Sequence, residues 1–354
     1  MKIMNTGLSE EQSEILKSNK DAYYEWRKYQ IGTDKLYKYQ KIINKIKWLR
    51  DGESREIVKP LAYNQGFYKF IKGSIRFLGK ALLNQIFTLF NPNVILKKPI
   101  FVIGMPHSGT TISMTLLSKH SDISNSSEMN TFFYPKGDYT LPEREHFKDK
   151  TMASESEVKR LNSRFNFYRY IHGNKKRFLN KNPMNMVTVD FLKSCFPDAY
   201  FIHVVRDPRA YINSSIYSLP NDIESFDRFQ SPEKRVNIFA GPRVTGWREL
   251  IRKDPVEQHA LQWKACIELV RKQSLDIENF IEIRYEDLCL DTKATIKKVW
   301  DFVKLEDNGS IERVPQKLES KNYKYSKRFS KEKIQLVEKI TEDIMKEYNY
   351  KFIE

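Results

Sequence analysis

A parallel α/β sheet flanked by helices, with a helical N-terminal extension, is the fold this sequence predicts. Three observations point to it. Short apolar runs at Pro99–Met105, Ala199–Val205 and Phe280–Ile283, the first of them unbroken, alternate with helical stretches such as Met186–Cys195 and Val256–Leu275. Runs of that kind are strands buried on both faces, and strands that alternate with helices pair in parallel. The first run passes through a Gly/Ser/Thr turn into a helical pattern carried by Ile112, Leu116 and Leu117. Finally, a chain of 354 residues that is 40% hydrophobic and 30% charged can bury a sizeable core, and 13% aromatic residues argue against disorder.

In chain order, residues 1–96 read as a basic helical extension. A charged segment runs from Ser9 to Arg50, and a second helical segment from Gln65 to Phe90. In the second, Phe67, Ile71, Ile75, Leu78, Leu82 and Leu89 recur at helical spacing, with Lys69, Lys72, Arg76 and Lys80 on the other side. Residues 1–98 carry 19 Lys and Arg against 9 Asp and Glu, most of the chain's net charge of +16. Such a helix either packs its apolar stripe on the main domain or lies in a membrane interface through residues 57–96. The strongly basic balance implies an anionic partner. No recognised nucleic-acid module accompanies it, so nucleic acid is not expected.

Residues 97–354 form the expected α/β domain, and 221–252, rich in turn residues and charges without a period, reads as an insertion or lid. The cysteines Cys195, Cys266 and Cys289 are far apart and odd in number, which suits reduced core residues. The N-terminus has no apolar stretch behind its first lysine, and no uncharged apolar run reaches the about 18 residues of a membrane span. A cytoplasmic protein, at most peripheral to a membrane, is the resulting expectation.

The turn Gly104-Met-Pro-His-Ser-Gly-Thr-Thr111 joins the first strand to its helix. Gly104 and Gly109 let the backbone curl so that successive N–H groups and the helix N-terminus point at one anion. The spacing is P-loop-like, but Thr110 stands where a triphosphate-binding lysine would follow. A phosphate cradle without that lysine is the better reading. In Tyr200–Ser214, a strand ends at Arg206 and enters a helix, with Ser214 about two turns in. Ligands of open α/β sheets bind at carboxyl ends of strands, and an arginine fork suits phosphate. Arg206 could instead pair with Asp207.

Together, PIFVIGMPHSGTT and VVRDPRAYINSS resemble the two nucleotide-binding motifs of sulfotransferases, which transfer a sulfuryl group from 3′-phosphoadenosine 5′-phosphosulfate (PAPS) to a hydroxyl or amine. The resemblance implies that Ser108, Gly109, Thr110 and Thr111 cradle the 5′-phosphosulfate, while Arg206 and Ser214 bind the 3′-phosphate. It also implies a metal-independent reaction, since fixed cations and helix N–H donors can serve an anionic leaving group. The segment His120–Glu128 is similar to that of tyrosylprotein sulfotransferases and other glutamate-base members, with Glu128 placed 21 residues after His107. Glu128 is therefore the expected general base. His120 is expected to close the preceding helix instead. Lys181, before Asn182 and Pro183, matches the family's lysine beside the sulfuryl group.

His107 departs from the family, which usually carries Arg or Lys there. Histidine titrates near neutrality, so the site acquires a pH-sensitive group that is still expected to contact the phosphosulfate. Tyr285 resembles the tyrosine delivered near the adenine, or is a half-buried strand tyrosine; Trp263 is expected in the core. The basic stretch Lys317, Lys321, Lys324, Lys327 and Arg328 is where family members close over the 3′-phosphate. Alternatives are a P-loop kinase and a non-catalytic nucleotide-binding protein. The expected acceptor is a hydroxyl on a carbohydrate or glycolipid.

Overall fold

The computed structural model describes residues 94–127, 151–217 and 254–353, with scattered positions between 79 and 90 and at 242, 244 and 250. Glu128 and most of the predicted extension and lid lie outside the described residues.

Five strands form one sheet in the order β2-β3-β1-β4-β5, all parallel. They are β1 (Ile100–Ile103), β2 (Ile123–Ser127), β3 (Arg177–Lys181), β4 (Tyr200–Val205) and β5 (Phe280–Arg284). The three apolar runs became β1, β4 and β5, and β1 sits at the centre with β3 on one side and β4 on the other. Its register pairs Val102 with Lys181 and Ile103 with His203. The strand order therefore reverses at β1, which opens a crevice beyond its carboxyl end.

Helices cover both faces. After β1 comes α1 (Thr110–Leu117), and after β2 comes α2 (Glu155–Ile171), started by a capping box in which Ser154 and Glu157 satisfy each other's backbone N–H. Pro183–Val187 is a short 3₁₀ turn, followed by α3 (Val189–Cys195). The predicted Met186–Cys195 helix thus begins three residues late, because the chain leaves β3 through a proline turn that closes with i→i+3 bonds. Next are α4 (Pro208–Tyr217) and α5 (Pro255–Ser274), the latter capped by Asp254 with Pro at its first position. The C-terminal part adds α6 (Tyr285–Leu290), α7 (Thr292–Phe302), a 3₁₀ turn at Asn322–Lys327, α8 (Lys331–Ile340) and α9 (Glu342–Glu347).

Alternation along the strands divides the core. Phe101, Phe201 and Val205 join Phe165, Phe178, Phe191, Phe196 and Trp263 on one face; Val102, Ile202 and Val204 join Leu117, Ile296 and Trp300 on the other. Trp263 is fully buried, as expected of a core residue, and the three cysteines are buried and free. Among the described residues, no helix is long and apolar enough to cross a membrane. Of the lid, Val244 is buried in the core, and Pro242 lies on α5, where its carbonyl accepts from Gln262 Nε2 at 2.9 Å.

Candidate active site

The turn after β1 runs from Gly104 to Gly109, and both glycines are needed. Gly104 has φ 152°, and a Cβ there would meet the Val204 carbonyl at 2.6 Å. Gly109 has φ 90°, and a Cβ there would strike the Tyr285 ring. His107 also takes a left-handed φ of 65°, uncommon for a residue with a side chain. Gly109 caps α1 without any side-chain hydrogen bond, and the first turn carries no acidic residue. The first amides of α1 therefore keep their donors and the positive end of the helix dipole directed into the crevice. Ser108 is 1% exposed, and its Oγ has no hydrogen-bond partner. An orphaned buried hydroxyl beside an uncapped helix N-terminus fits an anionic group such as a phosphosulfate. Thr110 is buried, whereas Thr111 is exposed.

Arg206 directly follows β4 and is 5% exposed. Its Nη1 donates to the His107 carbonyl at 2.6 Å and to Ser214 Oγ at 3.3 Å, and its Nε donates to Asn322 Oδ1 at 2.9 Å. Its guanidinium lies 4.5 Å from the centre of the Tyr285 ring. Burial lowers Arg206 from its ordinary value, against which Tyr285 and Glu286 act. The arginine is thus held against the loop, with one face on an aromatic ring and its partners drawn from three separate elements.

Asp207 does not pair with Arg206. It belongs to Arg209, which grips it through Nε at 3.0 Å and Nη2 at 2.6 Å, and which also donates to Glu338 at 2.5 Å and to the Lys351 carbonyl at 2.8 Å. Burial alone would lower Arg209, but the hydrogen bond and charge of Asp207, with Tyr325 and the hydrogen bond to Glu338, hold it above its ordinary value. This closed buried network leaves Arg206 as the arginine that faces the crevice.

Tyr285 is the first residue of α6, not a strand residue, and its ring is packed between Gly109 and Arg206. Burial and the Cys289 thiol push its phenol up to about 12. Lys181 ends β3 and is 3% exposed, with Ser127 of β2 as its register partner. Ser127 is the last residue described before Glu128. His120 sits beyond the end of α1, where its Nε2 donates to the Glu306 carbonyl at 2.9 Å and its Nδ1 accepts from the Asp122 N–H at 3.1 Å. With both nitrogens engaged and the ring edge-on to Trp300, His120 bolts α1 to α7. Asp122 pairs with Lys176.

The basic stretch meets the site through a neutral residue. Lys321 pairs with Glu319 and Lys327 lies over Tyr323, while Asn322 is the member that touches Arg206. Sequence reasoning missed Asn322 because it searched the stretch for cations. It also missed Glu286, whose carboxylate accepts from the Asp207 N–H and from Asn322.

Residues 99–309 match the profile of the sulfotransferase family. The chain is 26% identical over 221 residues to protein-tyrosine sulfotransferase A of Caenorhabditis elegans, a match covering 58% of this chain and 49% of that protein. It is 28% identical over 157 residues to carbohydrate sulfotransferase 2 of Mus musculus, covering 40% of this chain and 30% of that protein. The chain spans about half the length, or less, of these curated relatives. A crystal structure of a sulfotransferase from Mycobacterium avium aligns with TM-score 0.52 at 13% identity, over 86% of this chain and 92% of that one. At that identity the likeness is one of fold.

Proposed function

The chain belongs to the sulfotransferase family, and on that premise we propose that it is a PAPS-dependent O-sulfotransferase. The observation that carries the reading is the coupling of two anion-binding elements, made by the 2.6 Å bond from Arg206 to the His107 carbonyl. Two separated phosphate groups on one nucleotide suit two adjacent cradles. A magnesium triphosphate suits them less, because the P-loop lysine is replaced by Thr110 and Asp207 is consumed by Arg209.

When bound, PAPS supplies an activated sulfuryl group on a phosphate leaving group. Ser108 Oγ and the first amides of α1, with Gly109, Thr110 and Thr111, hold the phosphosulfate; Arg206 and Ser214 hold the 3′-phosphate. Tyr285 backs Arg206 and borders the base. Lys181 donates to the bridging oxygen as negative charge builds there. Glu128, next in the chain after the register partner of Lys181, removes the acceptor proton. His107 donates to the phosphosulfate in place of the family's permanent cation. Charge on the leaving group is met by helix amides and fixed cations, so the reading calls for no metal.

The acceptor is a hydroxyl. Relatives named for protein tyrosine put a phenol beside the carbohydrate or glycolipid hydroxyl expected from the sequence, and both need a base of the Glu128 type. Calorimetric titration with 3′,5′-adenosine bisphosphate tests the donor side. Binding in the micromolar range, abolished by Arg206→Ala and with magnesium–ATP much weaker, is expected. A preference for magnesium–ATP would overturn the reading.

A further inference from the structure

The Arg206 side chain ends a chain of hydrogen bonds that begins at the C-terminus. Its Nε donates to Asn322 Oδ1 at 2.9 Å, and Asn322 Nδ2 donates to Glu286 Oε1 at 2.6 Å. The same Oε1 accepts from the backbone N–H of Asp207 at 3.1 Å, which fixes the peptide leaving Arg206. The other oxygen, Oε2, accepts from the Tyr350 hydroxyl at 2.9 Å. Glu286 is therefore a hub that sets both the side chain and the backbone of Arg206.

Tyr350 is well placed to hold that hub. It is 6% exposed, and Arg284 lies 5.1 Å from its ring centre. The chain around it is tied down at several points. Arg284 donates to the Tyr348 carbonyl at 2.9 Å, Arg209 to the Lys351 carbonyl at 2.8 Å, and the Ile353 N–H to Glu338 at 3.0 Å. Burial and the Glu286 carboxylate raise the Tyr350 phenol well above its ordinary value, so it serves as a donor throughout the physiological range.

We propose that Tyr350, Glu286 and Asn322 are positioning residues for the 3′-phosphate, so that the C-terminal segment sets co-substrate affinity through Arg206. The proposal rests on the PAPS reading above. A guanidinium whose Nε is held by Asn322 and whose Nη1 is held by the loop presents its remaining donors in one orientation. Freed of Asn322, it would lose ordering that the bound phosphate would then have to supply.

The test is calorimetry of the full chain with two probes: 3′,5′-adenosine bisphosphate, and adenosine 5′-phosphosulfate, which lacks the 3′-phosphate. Tyr350→Phe removes only a hydroxyl and should weaken the bisphosphate about threefold to tenfold; Asn322→Ala should weaken it about tenfold. Adenosine 5′-phosphosulfate should bind all variants alike. In an Arg206→Lys background, which lacks the guanidinium Nε donor to Asn322, the Tyr350→Phe effect should shrink to the part carried through the Asp207 N–H, since residues of one relay are non-additive. Parallel loss of both ligands, no loss in either variant, or an undiminished effect in the Arg206→Lys background would overturn the relay. A thermal melt of each variant identifies loss of fold, and should Tyr350→Phe unfold, the Asn322→Ala pair of titrations decides alone. Wild-type protein that binds no bisphosphate would overturn the donor reading and the relay with it.

Discussion

At the level of single residues, the two cradles depend on which partner each arginine takes. Arg206, Asp207 and Arg209 lie within four positions, and their order does not say which arginine pairs with the acid. The structure gives Asp207 to Arg209 because Glu338 and the Lys351 carbonyl, far along the chain, complete that network. Removing one member of a buried network of this kind costs about 3–5 kcal/mol, so Arg209→Ala should lower stability far more than Arg206→Ala, read as urea midpoints. Equal losses would refute the division of labour. The chemical residues make a different prediction. Glu128→Gln should reduce kcat about 100-fold or more while leaving bisphosphate affinity intact. Lys181→Met should also act on kcat more than on KM, because the charge it meets develops only in the transition state. A variant that lost donor affinity instead would place either residue in binding. For His107→Arg, which restores a permanent cation, activity should change less between pH 6 and 8 than in the wild type. An unchanged profile would mean that His107 acts as a neutral donor.

At the level of elements, legibility followed apolar continuity. β1, β4 and β5 were readable because Ile100–Ile103, Tyr200–Val205 and Phe280–Arg284 are largely apolar, and their helices followed from period and caps. β2 was not readable. Its sequence, Ile-Ser-Asn-Ser-Ser, has no apolar run, because an edge strand does not need one. What makes it a strand is its register with β3, from Ile123 opposite Arg177 to Ser127 opposite Lys181. The last C-terminal turns were unreadable for a related reason, since they are held by polar contacts. Tyr348 donates to Glu282 Oε2 at 2.7 Å, and His203 Nδ1 meets Glu282 Oε1 at 2.8 Å, joining β4, β5 and the end of α9. Burial alone would raise Glu282, but the hydrogen bonds from His203 and Tyr348 and the charge of Arg271 outweigh it and hold the carboxyl below its ordinary value. A folded pKa below the unfolded one adds stability above the unfolded carboxylate range, and that stability is lost as pH falls through the folded value. Tyr348→Phe should therefore destabilise the protein by about 1–2 kcal/mol at neutral pH, with a smaller difference in acid, once pH has fallen below the unfolded carboxylate range. Urea melts at the two pH values check this, and a difference independent of pH would sink it.

For the whole molecule, the charge is divided unevenly. The sheet domain carries the cradles, while residues 1–98 hold most of the net +16, with no acidic residue from Ile57 to Lys98. Only part of that extension is described, and the part that is described departs from the helical stripe read in the sequence. Phe87 packs on Phe167 at 5.9 Å and on Tyr170 at 6.0 Å, and Thr88 bonds Ser163, so that face lies on α2. Leu82, Leu83 and Phe90, by contrast, are 52%, 53% and 82% exposed. Packing on the domain and an outward apolar edge thus coexist in one segment, where the sequence posed them as alternatives. An apolar edge in a stretch of sequence that also carries Lys69, Lys72, Arg76 and Lys80 has the composition of an interfacial anchor for an anionic lipid surface. The full chain should therefore sediment with phosphatidylserine-containing vesicles and be released by salt. Replacing Leu82, Leu83 and Phe90 together by Ser should weaken that binding by about tenfold or more, since each side chain loses roughly 1.5–3 kcal/mol of apolar burial if fully inserted. Bisphosphate affinity should be unchanged, because none of the three is among the residues assigned to the two phosphate cradles. If the triple variant binds vesicles as the wild type does, the edge is not an anchor, and the lysines alone account for any attraction.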